Sequence, residues 1–272
     1  MSYANFKPII WSKKIEHELK KFTVFKEDCD FRFEGDAGRG KTVKILGVGK
    51  PTIGTYTGSS IGTPETVPDS SVYLKIDQAK YFNFQVDDVD KAQAIDGLMP
   101  AYMEEATRGL AEVEDSFIAQ QLGQNAGSAS ASTSITTADG MKTAIDNAFV
   151  YLWNNGVSNK DKVTIYLTPW AYNLFKDKLV ALKTDNDDLI AKGVVGLYNS
   201  AKVKMTNNIY NDGTDDYIIV KTSKAYAFCN GINETEAYRP ETLFSDAVKG
   251  LDTYGGKMVR PKECYCIKAH NS

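Results

Sequence analysis

The chain has 272 residues, of which 42% are hydrophobic, 25% charged and 11% aromatic. That composition excludes a largely disordered or fibrous protein, and the length suffices to bury a core without covalent staples. Thirty-two Lys plus Arg against 35 Asp plus Glu leave a formal net charge of −3, so no overall field draws the chain to DNA or anionic lipid. Only five cations are arginines (Arg32, Arg39, Arg108, Arg239, Arg260), too few planar forks to favour sequence-specific nucleic-acid recognition.

Residues 1–10 lack a basic start followed by an apolar stretch, and no apolar run approaches the roughly 18 residues of a membrane helix. The expectation is a protein made and kept in a cytoplasm, with no membrane partner. Cys29, Cys229, Cys264 and Cys266 include no C-x-x-C pair and read as buried thiols. Two histidines, His17 and His270, are too few for a multi-histidine metal centre, and their terminal placement does not suit a histidine-based triad. No metal, cofactor or catalytic residue is expected.

In chain order, residues 1–25 read as an arm. It is extended through Pro8, then Ser12 caps a short helix carrying Ile15, Leu19 and Phe22. Residues 35–42, GDAGRGKT, match the phosphate-loop pattern from Gly35 through Gly40, Lys41 and Thr42. Phosphate binding there needs a helix N-terminus after Thr42. Residues 43–54 read instead VKILGVGKPTIG, rich in β-branched side chains and interrupted by three glycines and a proline, so a Gly-rich turn between strands is expected.

A long hairpin comes next. Its outgoing strand runs from about Thr42 to Leu46 and on to Ile53, and its return strand from Val72 to Asp77 and on to Gln85. Residues 54–71, with three glycines and two prolines, have little apolar material for a core of their own. A lone ribbon is marginal in water and its edges invite pairing, so the apolar positions Val43, Ile45, Val48, Ile53, Val72, Leu74 and Ile76 are expected to meet another subunit.

From Pro100 the stripe Ala106, Leu110, Val113, Phe117 and Gln121 predicts a long amphipathic helix with Glu104, Glu105, Glu112, Glu114 and Asp115 on its other faces. Residues 127–137 read as a flexible connector. A second lobe opens with a helix bearing Met141, Ile145, Phe149 and Leu152 that ends at Asn154, Asn155 and Gly156. A buried strand at 163–168 precedes a helix starting at Pro169; further strands are expected at 201–206, 217–222 and 225–229, with a turn at Asn211, Asp212 and Gly213. Two terminal strands, 253–259 and 263–269, close the order.

This order resembles the major capsid proteins of tailed bacteriophages, the Hong Kong 97-like fold. The resemblance rests on the opening Phe6-Lys7-Pro8-Ile9-Ile10-Trp11-Ser12, the lead-in Gly40-Lys41-Thr42-Val43-Lys44-Ile45, Thr55-Tyr56-Thr57 near the hairpin tip, and residues 76–88, IDQAKYFNFQVDD. It spans essentially the whole chain and implies an α+β fold. Its parts would be an N-terminal arm with a lead-in strand (1–40), an extended E-loop hairpin (41–84), a peripheral domain with a spine helix and linker (85–137) and an axial domain (138–245). Residues 246–272 would return as strands to the peripheral domain.

The implied function is structural rather than enzymatic: hexamers and pentamers of this chain closing an icosahedral virion shell around double-stranded DNA, which is held without sequence-specific binding. Implied partners are copies of itself, a portal protein, and a separate scaffolding protein and decoration proteins. Intersubunit contacts are expected at Trp11, Val43, Ile45, Val48, Ile53, Tyr56, Val72, Leu74, Ile76, Glu104 and Glu112. The arm at Met1 and a hairpin tip without lysine imply neither proteolytic trimming nor isopeptide cross-linking. Two alternatives stand beside this reading: an encapsulin-like nanocompartment shell, and a nucleotide hydrolase built on residues 35–42.

Overall fold

Strands sort into three sheets joined by one long helix in the computed structural model, which describes residues 23–34, 42–48, 53, 55–56, 69–87, 98–158, 161–181, 197–242 and 244–271. Strands β1 (Thr42–Val48) and β2 (Asp69–Lys75) form an antiparallel ribbon with Val43 opposite Leu74 and Ile45 opposite Val72. A strand therefore succeeds the phosphate-loop motif at Thr42, where nucleotide binding would require a helix. The motif's other residues, 35–41, and the expected arm helix lie outside the described residues.

The return strand expected to run unbroken to Gln85 is two strands in two sheets. The ladder stops at Ile76 and Asp77. β3 (Gln78–Asp87) then pairs with β11 (Ser245–Met258), which pairs with β10 (Tyr226–Tyr238). Phe82 and Phe84 on β3 pack toward Met103, Leu110 and Ala111 of the long helix, and that burial draws the strand out of the ribbon. The crossing is tight at Gly255, where a Cβ would lie 2.8 Å from the Ile76 Cα and collide with the Lys75 carbonyl.

Helix α1 (Leu98–Asn125) matches the expected element but is rotated from the expected stripe by one residue. Its buried positions include Met103, Thr107, Ala111, Glu114, Asp115, Ile118 and Leu122; Leu110 of the expected stripe is buried as well, whereas Val113 is 41% exposed.

The largest sheet combines β4 (Ser128–Ala129), β5 (Thr133–Ser134), β6 (Val163–Leu167), β7 (Leu197–Tyr198), β8 (Ala201–Met205), β9 (Asp216–Thr222) and β12 (Cys264–His270). Its order is β4-β12-β9-β6-β8-β7, with β5 also alongside β12. The expected connector is therefore stitched in parallel to β12 through Ala129 opposite Cys266 and Thr133 opposite Ala269. Small side chains suit that tight lateral contact; at Gly127 a Cβ would collide with the Pro261 backbone.

Helices α2 (Ala138–Asn154) and α3 (Pro169–Ala181) pack against each other, and Met141, Ile145, Phe149, Leu152 and Phe175 meet Ile165, Val203, Ile218 and Ile267 of the sheet. Thr137 caps α2 by accepting the Gly140 amide at 3.1 Å. The helix ends in a Schellman turn: Gly156, at φ +89°, donates to Trp153 O, and Val157 donates to Leu152 O. The opposite sheet face packs Tyr166, Ile219, Cys264 and Cys266 with Ile118 and Leu122 of α1, which explains why every residue of β6 is buried.

β10 pairs with β11 in the sheet that also holds β3, and β12 lies in the seven-stranded sheet beside β9. Cys264 and Cys266 face one core while Ile267 faces the other, so β12 suits a strand covered on both sides.

Candidate assembly surfaces

Residues 23–30 form a strap tied to all the larger bodies of the fold. Phe25 is fully buried and stacks on Tyr166 with ring centroids 4.2 Å apart. Asp115 of α1 accepts the backbone amides of Val24 at 2.6 Å and Phe25 at 3.2 Å, while Lys26 Nζ donates to both Glu114 oxygens at 3.0 and 2.8 Å. The strap's 3-10 turn, Lys26–Asp28, meets the large sheet: Lys221 Nζ donates to the Asp28 carbonyl at 2.6 Å, and Lys204 lies 2.8 Å from the Asp28 carboxylate. Asp30 then pairs with β10, donating to Tyr226 O and accepting from Phe228 N.

Burial pushes the Asp115 carboxyl up to about 6 although strap amides favour its ionised form. Burial acts the same way on Asp28, but the hydrogen bond and charge of Lys204 more than offset it and hold that carboxyl below its ordinary value. Sequence reasoning placed Glu114 and Asp115 on faces of the helix other than its apolar stripe, yet both are 0% exposed. A second stripe with the same 4, 3, 4, 4 spacing, Thr107, Ala111, Glu114, Ile118 and Leu122, carried the signal.

The expected contact residues divide by position. Val43, Ile45 and Leu74 are buried within their own chain against Ala227 and Cys229, with Val72 and Ile76 half-buried on the same cluster. The ribbon's root lies on β10, so Val43, Ile45 and Leu74 keep little surface for a neighbour, while Val72 and Ile76 keep part of theirs. Ile53 and Tyr56, farther out, are 86% and 72% exposed. Val48 pairs with Asp69 through its backbone, but its side chain and all of Trp11 lie outside the described residues. Glu104 and Glu112 face outward on α1, Glu112 lying 3.4 Å from Arg108.

Other exposed apolar side chains gather on the outer face of the three-stranded sheet, where Tyr81 of β3, 79% exposed, stands opposite Leu251 of β11. All four cysteines are buried thiols outside any disulfide, as expected. The expected turn at 211–213 forms: Asn211 Oδ1 accepts the Gly213 amide at 2.6 Å, and Asp212 Oδ1 accepts those of Thr214 and Asp215. Among the described residues no group of three or more His, Cys, Asp or Glu is arranged to hold a metal, and no helix is long and apolar enough to cross a membrane.

No protein-family profile and no curated protein matches the chain. Solved structures do. A protein of Mycobacterium phage Che8 is 29% identical with a TM-score of 0.78, the match covering 90% of each chain. The capsid structure of the cyanophage P-SCSP1u is 16% identical with a TM-score of 0.73, over 92% of this chain and 89% of that one. A virus-like particle from Pyrococcus furiosus is 12% identical with a TM-score of 0.60, over 94% of this chain and 97% of that one. The mixed helix-and-sheet fold built around α1, the ribbon and the two larger sheets is therefore the fold of phage capsid proteins.

Proposed function

We propose that this chain is the major subunit of a bacteriophage shell, assembling with copies of itself into hexamers and pentamers of an icosahedral container for double-stranded DNA. The observation that carries the reading is similarity to a phage protein over 90% of both chains at a TM-score of 0.78. The exposed apolar residues of the ribbon support it, because Ile53 and Tyr56 sit where their own chain offers no described cover. On this reading Ile53, Tyr56, Glu104 and Glu112 touch neighbouring subunits, a portal protein replaces one pentamer, and any scaffolding or decoration protein binds the assembled lattice in the host cytoplasm. A net charge of −3 suits a container that must later release its polyanion.

The likeness to a virus-like particle over 97% of that chain favours a second reading, a nanocompartment enclosing protein. Electron microscopy of purified particles, with nuclease digestion and analysis of the protected contents, tests both. Closed shells protecting double-stranded DNA are the expected result. Shells filled with protein would favour the second reading, and a chain that stays monomeric at high concentration would overturn both.

A further inference from the structure

We propose that the basic segment ahead of the strap, residues 12–22 of the same chain, lies along the acidic outer face of helix α1, with Lys14 on Glu105 and Lys21 on Glu112. The described part of the chain begins at Thr23, directly against that helix: the Val24 amide is bonded to Asp115 across 91 positions of sequence. Asp115, Glu112, Arg108 and Glu104 follow one another at spacings of 3, 4 and 4. The acceptor that grips Val24 therefore shares a helix face with those three charges, and Glu105 stands beside them. Glu104, Glu105, Arg108 and Glu112 are all exposed. Among the described residues Glu104 and Glu105 meet no cation, and Glu112 has only the solvated contact with Arg108 at 3.4 Å.

The preceding segment carries the opposite charge in the same register. Residues 12–22, SKKIEHELKKF, set Lys13, Lys14, Lys20 and Lys21 against Glu16 and Glu18, whereas the face on α1 sets three glutamates against one arginine. Lys13, Lys14 and Lys21 stand the same 91 positions before Glu104, Glu105 and Glu112 that Val24 stands before Asp115. That offset holds along the segment only if both stretches rise equally. The helix expected for the arm meets the condition, because over residues 12–22 it rises about 15 Å, as α1 does over 103–113. Lys14 and Lys21 then lie two turns apart on one side of the helix, as do Glu105 and Glu112 on theirs. The stripe Ile15, Leu19 and Phe22 needs an apolar seat. Next to the glutamates α1 offers Gly109, where a Cβ would meet nothing within 4 Å, and the exposed Val113, which together admit a close helix approach.

Exposed ion pairs are individually weak, so the seat depends on their joint action with the buried stripe and on the tether. The bonded strap holds the segment beside its own α1 at high effective concentration, which favours its own chain over a second copy. The seating belongs to one subunit and stands whether or not the chain builds a shell. A carboxylate accepts from more than one side, so a neighbour can still reach Glu104 and Glu112.

Zero-length cross-linking of the full-length chain tests it, with a carbodiimide as the probe on an equal mixture of ordinary and nitrogen-15-labelled chains. Peptide mass analysis should find amides joining Lys14 to Glu105 or Lys21 to Glu112 with both halves from one isotope, and about 1 M salt should cut their yield several-fold. Links that mix the isotopes would assign the segment to a second copy, and the absence of any link between residues 12–22 and α1 would leave the face uncovered; either result overturns the proposal. Hydrogen exchange gives an independent readout. Glu105→Lys with Glu112→Lys, both at exposed positions, should speed exchange over residues 15–22 at least about fivefold and leave α2 unchanged. Adding Lys14→Glu with Lys21→Glu should restore the wild-type protection, and failure of that reversal to restore it would refute the charge register.

Discussion

Asp115 shows how much one side chain can organise here. Its carboxylate terminates two backbone donors of a segment some ninety positions away, |i−j| being 91 and 90 for its bonds to Val24 and Phe25. Asp115→Ala should leave those amides buried without acceptors and cost about 2–4 kcal/mol in denaturant unfolding. Asp115→Asn keeps an acceptor oxygen and removes the burden of a buried charge, so its loss near neutral pH should stay within about 1 kcal/mol. An Asn variant as unstable as the Ala variant would show that charge, rather than hydrogen-bond acceptance, holds the strap. This residue was hard to find from sequence because a carboxylate in a helix is ordinarily solvated; only the distant amides that complete it make burial tolerable, and periodicity carries no record of them. The cysteines were easier, because scattered thiols without ligand spacing have one common environment.

The β1–β2 ribbon behaves as two parts. Leu74 in the root is fully buried, and Leu74→Ala should cost about 2–5 kcal/mol. Ile53→Ser and Tyr56→Ser, both at exposed positions, should leave unfolding free energy within about 0.5 kcal/mol of wild type while reducing the yield of closed particles. Normal particle yield from the double variant would remove the tip from the list of contacts. Alternation of apolar residues revealed the ribbon itself, and apolar spacing with an Asn-Gly terminus revealed α2 to within a residue. The break at Ile76 was hidden, since β2 and β3 share one alternating pattern and the switch depends on Gly255, far along the chain, leaving space for the Lys75 carbonyl.

At the scale of the molecule, two sets of carboxyl groups oppose each other. Amides of Asp215 and Thr214 hold Asp212 below 3.8, and His270 does the same for Asp215, so their contribution is present above that value and fades as pH falls through the folded ones. Asp115 and Asp252 act in reverse, losing stability as pH climbs from 3.8 toward about 6 and about 7. Denaturation midpoints should therefore peak near about pH 4–5 and decline toward about pH 7.5. A midpoint rising steadily over that interval would contradict the burial of both groups. The order of the longer elements from β1 to β12 was legible, whereas the short β4, β5 and β7 and the sharing of strands between sheets were not, because β10 and β12 each present apolar residues compatible with either sheet. That sharing bears on synthesis. β12 comes after every strand it joins and lies between β9 and the short β4 and β5, so a nascent chain emerged only as far as residue 222 carries β9 with an unpaired edge and Ile219 without its Cys266 neighbour. Such high contact order slows folding and keeps the large sheet open on the ribosome, so ribosome-bound subunits cannot present a finished surface to one another before residue 270 has cleared the exit tunnel.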